Sequence, residues 1–387
     1  MRRVSILLIV LLPFLSACES ETPQVSHARP FTLLKAEGPP CHHIYWGPYH
    51  NIHEVCIEVV YDHVTPPEAV PALDGLAFAT DGTLYFVRPA FGEIWQMQDA
   101  NGDGYMDDPT LYADGLTRPT RLALHENVVF IAAMNGVFRL DDPAADPTLL
   151  IPNLPIAGIA IGPDNRLYVG VSAGCNACRP TDPRLGTLLS YALDGTDERF
   201  EATGLRYPAD FDWNPTTGEL WIADQGIMPS GTGLDGPPDE LNLFEPGANY
   251  GFPASDPGGA DTALPRFTFP SQSGISSIAF YPSDAFPMWQ DDLIVALGGS
   301  WNRVEPSGYL LTTVGFTNGA PNGNTDPIAP TSAPPEPVPN LAGYSLSGRG
   351  FYPYHPSDIT ISADGWIYLS VQEGRIFRFR PRPAAES

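Results

Sequence analysis

The sequence predicts an all-β fold, a six-bladed β-propeller, on three observations. A strand–turn–strand pattern occurs six times, at residues 74–88, 120–134, 157–171, 209–224, 276–297 and 357–371. Each repeat alternates apolar and polar residues across a turn rich in Gly, Pro, Asp or Asn, which is the period of a half-buried strand. No segment of ten or more residues sustains a helical period, and 43 prolines and 37 glycines punctuate the chain. Finally, several repeats continue into a third strand, at 92–97, 136–140, 187–192 and 374–379. One such unit cannot bury both of its faces, so six stacked around an axis supply the core.

The chain opens with Met1-Arg2-Arg3 and an apolar run at 5–14, too short to span a bilayer as a helix. It ends in Leu15-Ser16-Ala17-Cys18, which resembles a bacterial lipobox, with cleavage before Cys18 and lipidation of that cysteine. Glu19 rather than Asp follows, so inner-membrane retention is not signalled, and the expected location is the cell envelope, anchored by lipid at the outer membrane or cell surface. The expected organisation is a signal peptide at 1–17, a polar tether at 18–30, and a disulfide-closed segment with a ring-closing strand at 31–70. The propeller follows at 71–383. The spare strand at 56–61 would complete the last blade and remove an open sheet edge.

Besides Cys18 there are four cysteines, and they fall into two local pairs, Cys41–Cys56 and Cys175–Cys178. Pairing by proximity fits an oxidising compartment. His42, His43, His50 and His53 lie between the first two, without the spacing of a standard structural zinc site, so a disulfide-closed surface loop is the expectation there. The Cys-x-x-Cys follows no βαβ pattern and has no second pair, so it too reads as a small disulfide loop. The proline-rich stretch 317–339 reads as a mobile insertion between blades five and six.

Composition excludes some functions. A formal charge of −25 argues against binding nucleic acid or an anionic lipid surface. The single lysine, Lys35, leaves no Schiff-base chemistry to the propeller. Residues 99–108 place Asp99, Asn101, Asp103 and Asp107 among oxygen ligands with Gly104 at the sixth position. That is the front half of a calcium loop, although Thr110 stands where a bidentate Glu belongs, so a weak calcium site is expected.

The stretch 203–253 carries a resemblance. Gly204-Leu205-Arg206 with Pro208, then Ala223-Asp224-Gln225-Gly226, Asp239-Glu240-Leu241-Asn242 and Asn249-Tyr250-Gly251-Phe252-Pro253 are similar to the soluble quinoprotein glucose and sorbosone dehydrogenases. Gly299-Ser300-Trp301-Asn302-Arg303 and the acidic loop at 99–108 extend the likeness over about residues 70–380. The resemblance implies a six-bladed propeller that binds pyrroloquinoline quinone (PQQ) and calcium and takes a hydride from a sugar. It further implies Arg88, Arg206 and Arg303 beside the cofactor, and Gly226, Ile227, Asp239 and Glu240 around its calcium.

The sequence also departs from that pattern. The family's histidine before the third blade is absent from Pro155-Ile156-Ala157-Gly158, and the histidine of its HGSWNR is Gly298 here. The final-blade Gly-Arg-Pro is Tyr354-His355-Pro356. A replacement proton acceptor must enter the central channel from the start of a blade, which selects His355 and, second, Asp210; imidazole as a residue type titrates near neutral pH. Two functions follow. One is an envelope-anchored, PQQ- and calcium-dependent sugar dehydrogenase with a rearranged base and no electron acceptor named by the sequence. The other is an inactive lipid-anchored propeller that binds a glycan or a protein, with a calcium-dependent lactonase a distant third.

Overall fold

The computed structural model describes residues 41, 55–63, 71–229, 236–253, 261–301, 303, 306–329, 351 and 354–383. The signal-like segment, Cys18, the tether, the four clustered histidines and Asn302 lie outside them. The described residues form strands and turns, with no helix among them. Six four-stranded antiparallel sheets form six blades. Blade one holds β2 (Leu76–Phe78), β3 (Leu84–Arg88), β4 (Glu93–Met97) and β5 (Thr110–Ala113); blade two holds β6 (Pro119–His125), β7 (Val128–Ala133), β8 (Gly136–Leu140) and β9 (Thr148–Pro152). Blade three holds β10 (Ile156–Ile161), β11 (Leu167–Val171), β12 (Thr187–Tyr191) and β13 (Arg199–Thr203). Blade four holds β14 (Pro208–Trp213), β15 (Leu220–Asp224), β16 (Asp239–Leu243) and β17 (Phe267–Phe269). Blade five holds β18 (Ile275–Phe280), β19 (Leu293–Leu297), β20 (Leu310–Thr317) and β21 (Ala320–Ala329). Blade six holds β22 (Pro356–Ile361), β23 (Ile367–Val371), β24 (Arg375–Pro381) and, as its outer strand, β1 (Val55–Asp62).

The six-bladed architecture and the ring closure are as the sequence predicts. Each innermost strand (β2, β6, β10, β14, β18, β22) lies against the next, and β22 returns to β2. The core is divided accordingly, with a hydrophobic cluster at each of the six seams between neighbouring blades. Trp221, Phe280 and Phe316, for example, meet edge-on between blades four and five. Ring closure has a polar device as well. Glu58 of β1 is buried and accepts from Arg378 Nε at 2.8 Å and from Arg380 Nε and Nη2 at 2.9 and 3.0 Å. Cys56, on the same strand, is bonded to Cys41, and Cys175 is bonded to Cys178.

One expectation is corrected. Residues 320–329, read as part of a proline-rich loop, form β21, the outer strand of blade five. Pro321 pairs with Phe316 and Pro327 with Thr312 in an edge position, where a missing N–H costs least. Residues 330–339 lie outside the described residues.

Candidate active site at the mouth of the channel

Strand register sets the geometry. Pro208 pairs with Asp224, Ile275 with Leu297, and Pro356 with Val371. In each blade, therefore, the segment entering the inner strand meets the segment leaving the second strand at one end of the ring. A cavity of about 120 Å³ opens there between blades four, five and six. Its wall includes Gln225, Asp239, Gln272, Trp301, His355 and Gln372.

His355 is held there from three sides. Its Nδ1 lies 2.6 Å from Glu373 Oε1, and its backbone N–H donates to Glu373 Oε2 at 2.9 Å. Its ring stacks on the exposed Trp301 at 4.5 Å between centroids, tilted by 10°, and touches Tyr309 at 5.1 Å. The family's alternative place for a histidine, Gly298, has no room for a side chain. A Cβ there would sit 2.9 Å from the Pro356 carbonyl oxygen, in the segment that carries His355.

Beside this cavity, sharing Gln225 and Gly226 with it, is a smaller one of about 30 Å³ lined by Arg206, Asp224, Ile227 and Glu240. Arg206 is buried, and among the described residues its guanidinium meets only neutral oxygens. Nε donates to Asn176 O (3.2 Å), Nη2 to Asn176 Oδ1 (3.1 Å) and Nη1 to Gln225 O (3.2 Å). Desolvation pulls its pKa down, against the smaller opposing pull of Asp224. Asn176 stands in the Cys175–Cys178 loop and also exchanges hydrogen bonds with the Met228 backbone at 2.7 and 2.8 Å. The small disulfide loop thus braces the arginine.

Carboxylates surround the 225–239 turn. Asp224 accepts from the Arg206 and Tyr207 backbone N–H groups at 2.9 and 2.6 Å, and burial, with the charge of Glu240 adding to it, raises it to about 7. Asp239 accepts from the Gly226, Gly274 and Ile275 N–H groups at 3.0, 2.6 and 3.1 Å, and burial raises it to about 6. Glu240 is raised by burial too. At Gly226 the turn folds back so tightly that a Cβ would lie 2.2 Å from the Pro238 carbonyl oxygen.

The other sequence-selected residues are dispersed. Arg303 donates to Ser271 O at 2.8 Å, and its buried Nε has no partner among the described residues. Arg88 is at the same end of the ring, paired with Glu93 at 3.0 Å and covered by the Phe91 ring. Asp210 does not line the cavity. Its Oδ2 accepts from Ser277 Oγ (2.7 Å) and the Ile278 N–H (2.9 Å), linking blade four to blade five, because the alternation of β14 turns it into that seam. Leu84 pairs with Met97, so the 99–108 loop leaves blade one at the end of the ring opposite the cavity. Its carboxylates bind its own backbone, with Asp99 accepting from Gly102 and Gly104 at 2.8 Å each. Among the described residues no group of three or more His, Cys, Asp or Glu side chains is arranged to hold a metal.

Arg121, from blade two, binds Asp74 of blade one and reaches Ser276 O of blade five (3.1 Å) and Ser357 O of blade six (3.4 Å). A guanidinium that touches the blade opposite its own spans the axis.

Residues 157–300 match the model of the glucose/sorbosone dehydrogenase family. The chain is a six-bladed propeller whose central stretch is similar to that family. Flanking stretches match two other models, a domain of unknown function at 75–148 and the strictosidine synthase-like N-terminal domain at 341–379. An aldose sugar dehydrogenase of Escherichia coli is 27% identical over 193 residues, 39% of this chain and 50% of that protein. The chain spans about half the length of the curated relatives it matches or less. Among solved structures, the holo PQQ domain of a pyranose dehydrogenase from Coprinopsis cinerea superposes with a TM-score of 0.64 at 17% identity, covering 88% of this chain and 100% of that one. A calcium structure of a Trichoderma reesei family AA12 carbohydrate-active enzyme gives 0.64 at 16%, covering 90% and 99%. At these identities the structures attest the fold.

At this site, sequence reasoning missed Glu373, Asn176 and Gln372. A signal for two of them existed. Gln372-Glu373 follows the second strand of blade six where Gln225-Gly226 follows that of blade four, so aligning repeats by register would have found them. Asn176 gives none, because its contact with Arg206 crosses 30 residues.

Proposed function

We propose that this protein is a PQQ- and calcium-dependent sugar dehydrogenase whose chemistry takes place at the mouth of the channel. The observation that carries the reading is Arg206: a buried guanidinium whose partners among the described residues are all carbonyl oxygens, beside a cavity, suits an anionic ligand. The donor set suits calcium as well. Asp224 and Glu240 are carboxylates raised by burial, and a hard cation coordinated also by the Gly226 and Ile227 carbonyls would relieve both. When bound, PQQ polarised by calcium supplies an acceptor for the hydride of a sugar C–H. The protein's own part is to hold the anion with Arg206, to orient the sugar against Gln225, Gln272 and Trp301, and to take the hydroxyl proton on His355. The sugar class follows the aldose sugar dehydrogenase relative and the pyranose dehydrogenase neighbour.

The test is to mix purified protein with PQQ and calcium and to follow the visible spectrum and dye reduction with a panel of aldoses. Wild type should reduce dye, and Arg206→Ala should weaken PQQ binding by about 10- to 100-fold, the worth of a charge-assisted hydrogen bond. Failure to bind PQQ would favour the glycan- or protein-binding propeller instead. The reading includes anchoring in the envelope through Cys18, motivated by Leu15-Ser16-Ala17-Cys18. The intact mass of the mature protein should then correspond to a chain beginning at a diacylated Cys18, and a lipid-free N-terminus elsewhere would remove the anchor.

A further inference from the structure

The His355 imidazole faces a cavity whose wall contains just one other titratable side chain among the described residues, Asp239, and all three hydrogen bonds described for Asp239 come from backbone N–H groups. The Tyr309 hydroxyl, on the other flank of the ring, donates to Ser300 O at 2.5 Å. Among the described residues, Glu373 is therefore the one group placed to set which imidazole nitrogen carries the proton. We propose that Glu373 is a positioning residue that fixes His355 as the Nδ1–H tautomer and leaves Nε2 as a bare acceptor. A carboxylate can only accept, so while the imidazole is neutral a bond of 2.6 Å to Nδ1 requires the proton on Nδ1. The second oxygen is occupied by the His355 backbone N–H at 2.9 Å, so the carboxylate cannot swing away without losing two bonds at once. Trp301, stacked at 10°, fixes the plane of the ring. Resting on the dehydrogenase reading, the step at this residue is transfer of the sugar hydroxyl proton to Nε2, giving an imidazolium whose charge Glu373 neutralises, while the hydride leaves to the quinone acceptor.

The same geometry makes an isosteric test unusually selective. In Glu373→Gln the backbone N–H of His355 still needs an acceptor, so the amide oxygen takes the Oε2 place. The amide nitrogen then faces Nδ1 and donates to it, which forces the imidazole proton onto Nε2. Nitrogen-15 NMR of selectively labelled histidine in the full-length protein without PQQ, above the range where imidazole protonates, reads this directly. The wild type should show a protonated Nδ1 and a bare Nε2, and Glu373→Gln the reverse. With PQQ and calcium added, dye reduction should fall by about 10²-fold or more at unchanged PQQ affinity, and Glu373→Asp should restore part of it. A wild-type imidazole protonated on Nε2, or an Nδ1–H tautomer that survives in Glu373→Gln, overturns the proposal, the first needing no variant to fold. The expected tautomers with no sugar oxidation by the wild type would support Glu373 in this role and sink the dehydrogenase reading instead.

Discussion

At the scale of single residues, the site depends on how few partners each charge is given. Arg88 and Arg206 both stand at the mouth end of the ring, yet Arg88 is paired with Glu93 while Arg206 is held by carbonyl oxygens alone. A guanidinium already matched to a carboxylate has little to offer an anion, and one held by neutral acceptors keeps its charge for a ligand. Asn176 is the residue that maintains this difference. Its side chain accepts from Arg206 and from the Met228 N–H and donates to the Met228 carbonyl. Asn176→Ala should therefore lower stability by about 1–2 kcal/mol in urea unfolding, the net worth of the lost hydrogen bonds. It should also weaken PQQ binding by less than Arg206→Ala does, because the guanidinium stays but is less well aimed. Loss of PQQ binding in Asn176→Ala as complete as in Arg206→Ala would make the asparagine a ligand contact rather than a brace.

At the scale of elements, the repeats were readable because a strand leaves its period in the sequence, and connections were readable only by default. β3, β7, β11, β15 and β23 all sit where the alternation places them, each almost wholly buried. β21 was missed for a physical reason. Its residues Ala320 to Ala329 include Pro321 and Pro327 and little apolar periodicity, since only one edge of an outer strand is paired and its side chains are half exposed. Asp210 shows the converse error. Placement at the start of an inner strand was inferred correctly, but β-strand alternation sends that side chain to the next blade and not to the mouth. The acidic loop at 99–108 lies at the far end of the ring because an odd number of strand reversals separates it from Arg88.

At the scale of the whole molecule, the ring encloses buried carboxylates around its axis. Asp210 is raised to about 7 by burial, then by the neighbouring Asp358, with Arg121 pulling the other way; Asp358 is raised too, and Asp212 is raised to about 6 by burial. Asp74, the remaining carboxylate of this centre, is bound to Arg121 and Ser357. In the unfolded chain Asp210, Asp212 and Asp358 titrate near 3.8, so from that pH up to their raised folded values the folded state holds more protons. Their contribution is complete below the unfolded value and is lost as pH rises through the folded one, with a slope of at most about 1.4 kcal/mol per pH unit for each group. Melting temperature should accordingly fall as pH goes from 5 to 8, and Asp210→Asn should flatten the decline. A melting temperature that climbs over that range would show these carboxyls to be ionised and satisfied in the fold.

The sequence by itself determined the six blades, the closing of the ring by a strand from the N-terminal side and both disulfides, and it singled out Arg206 and His355, which line the two cavities at the mouth. Each of these is local or periodic: alternation, turn chemistry, cysteine proximity and short motifs are written in neighbouring residues. Only the tertiary structure decided which charges meet. Glu373 reaches His355 across 18 residues, Asn176 reaches Arg206 across 30, and Arg121 reaches Ser276 across 155. Those contacts depend on which strand end faces the mouth and which blade lies opposite, and a closed ring fixes both only when its last strand is paired.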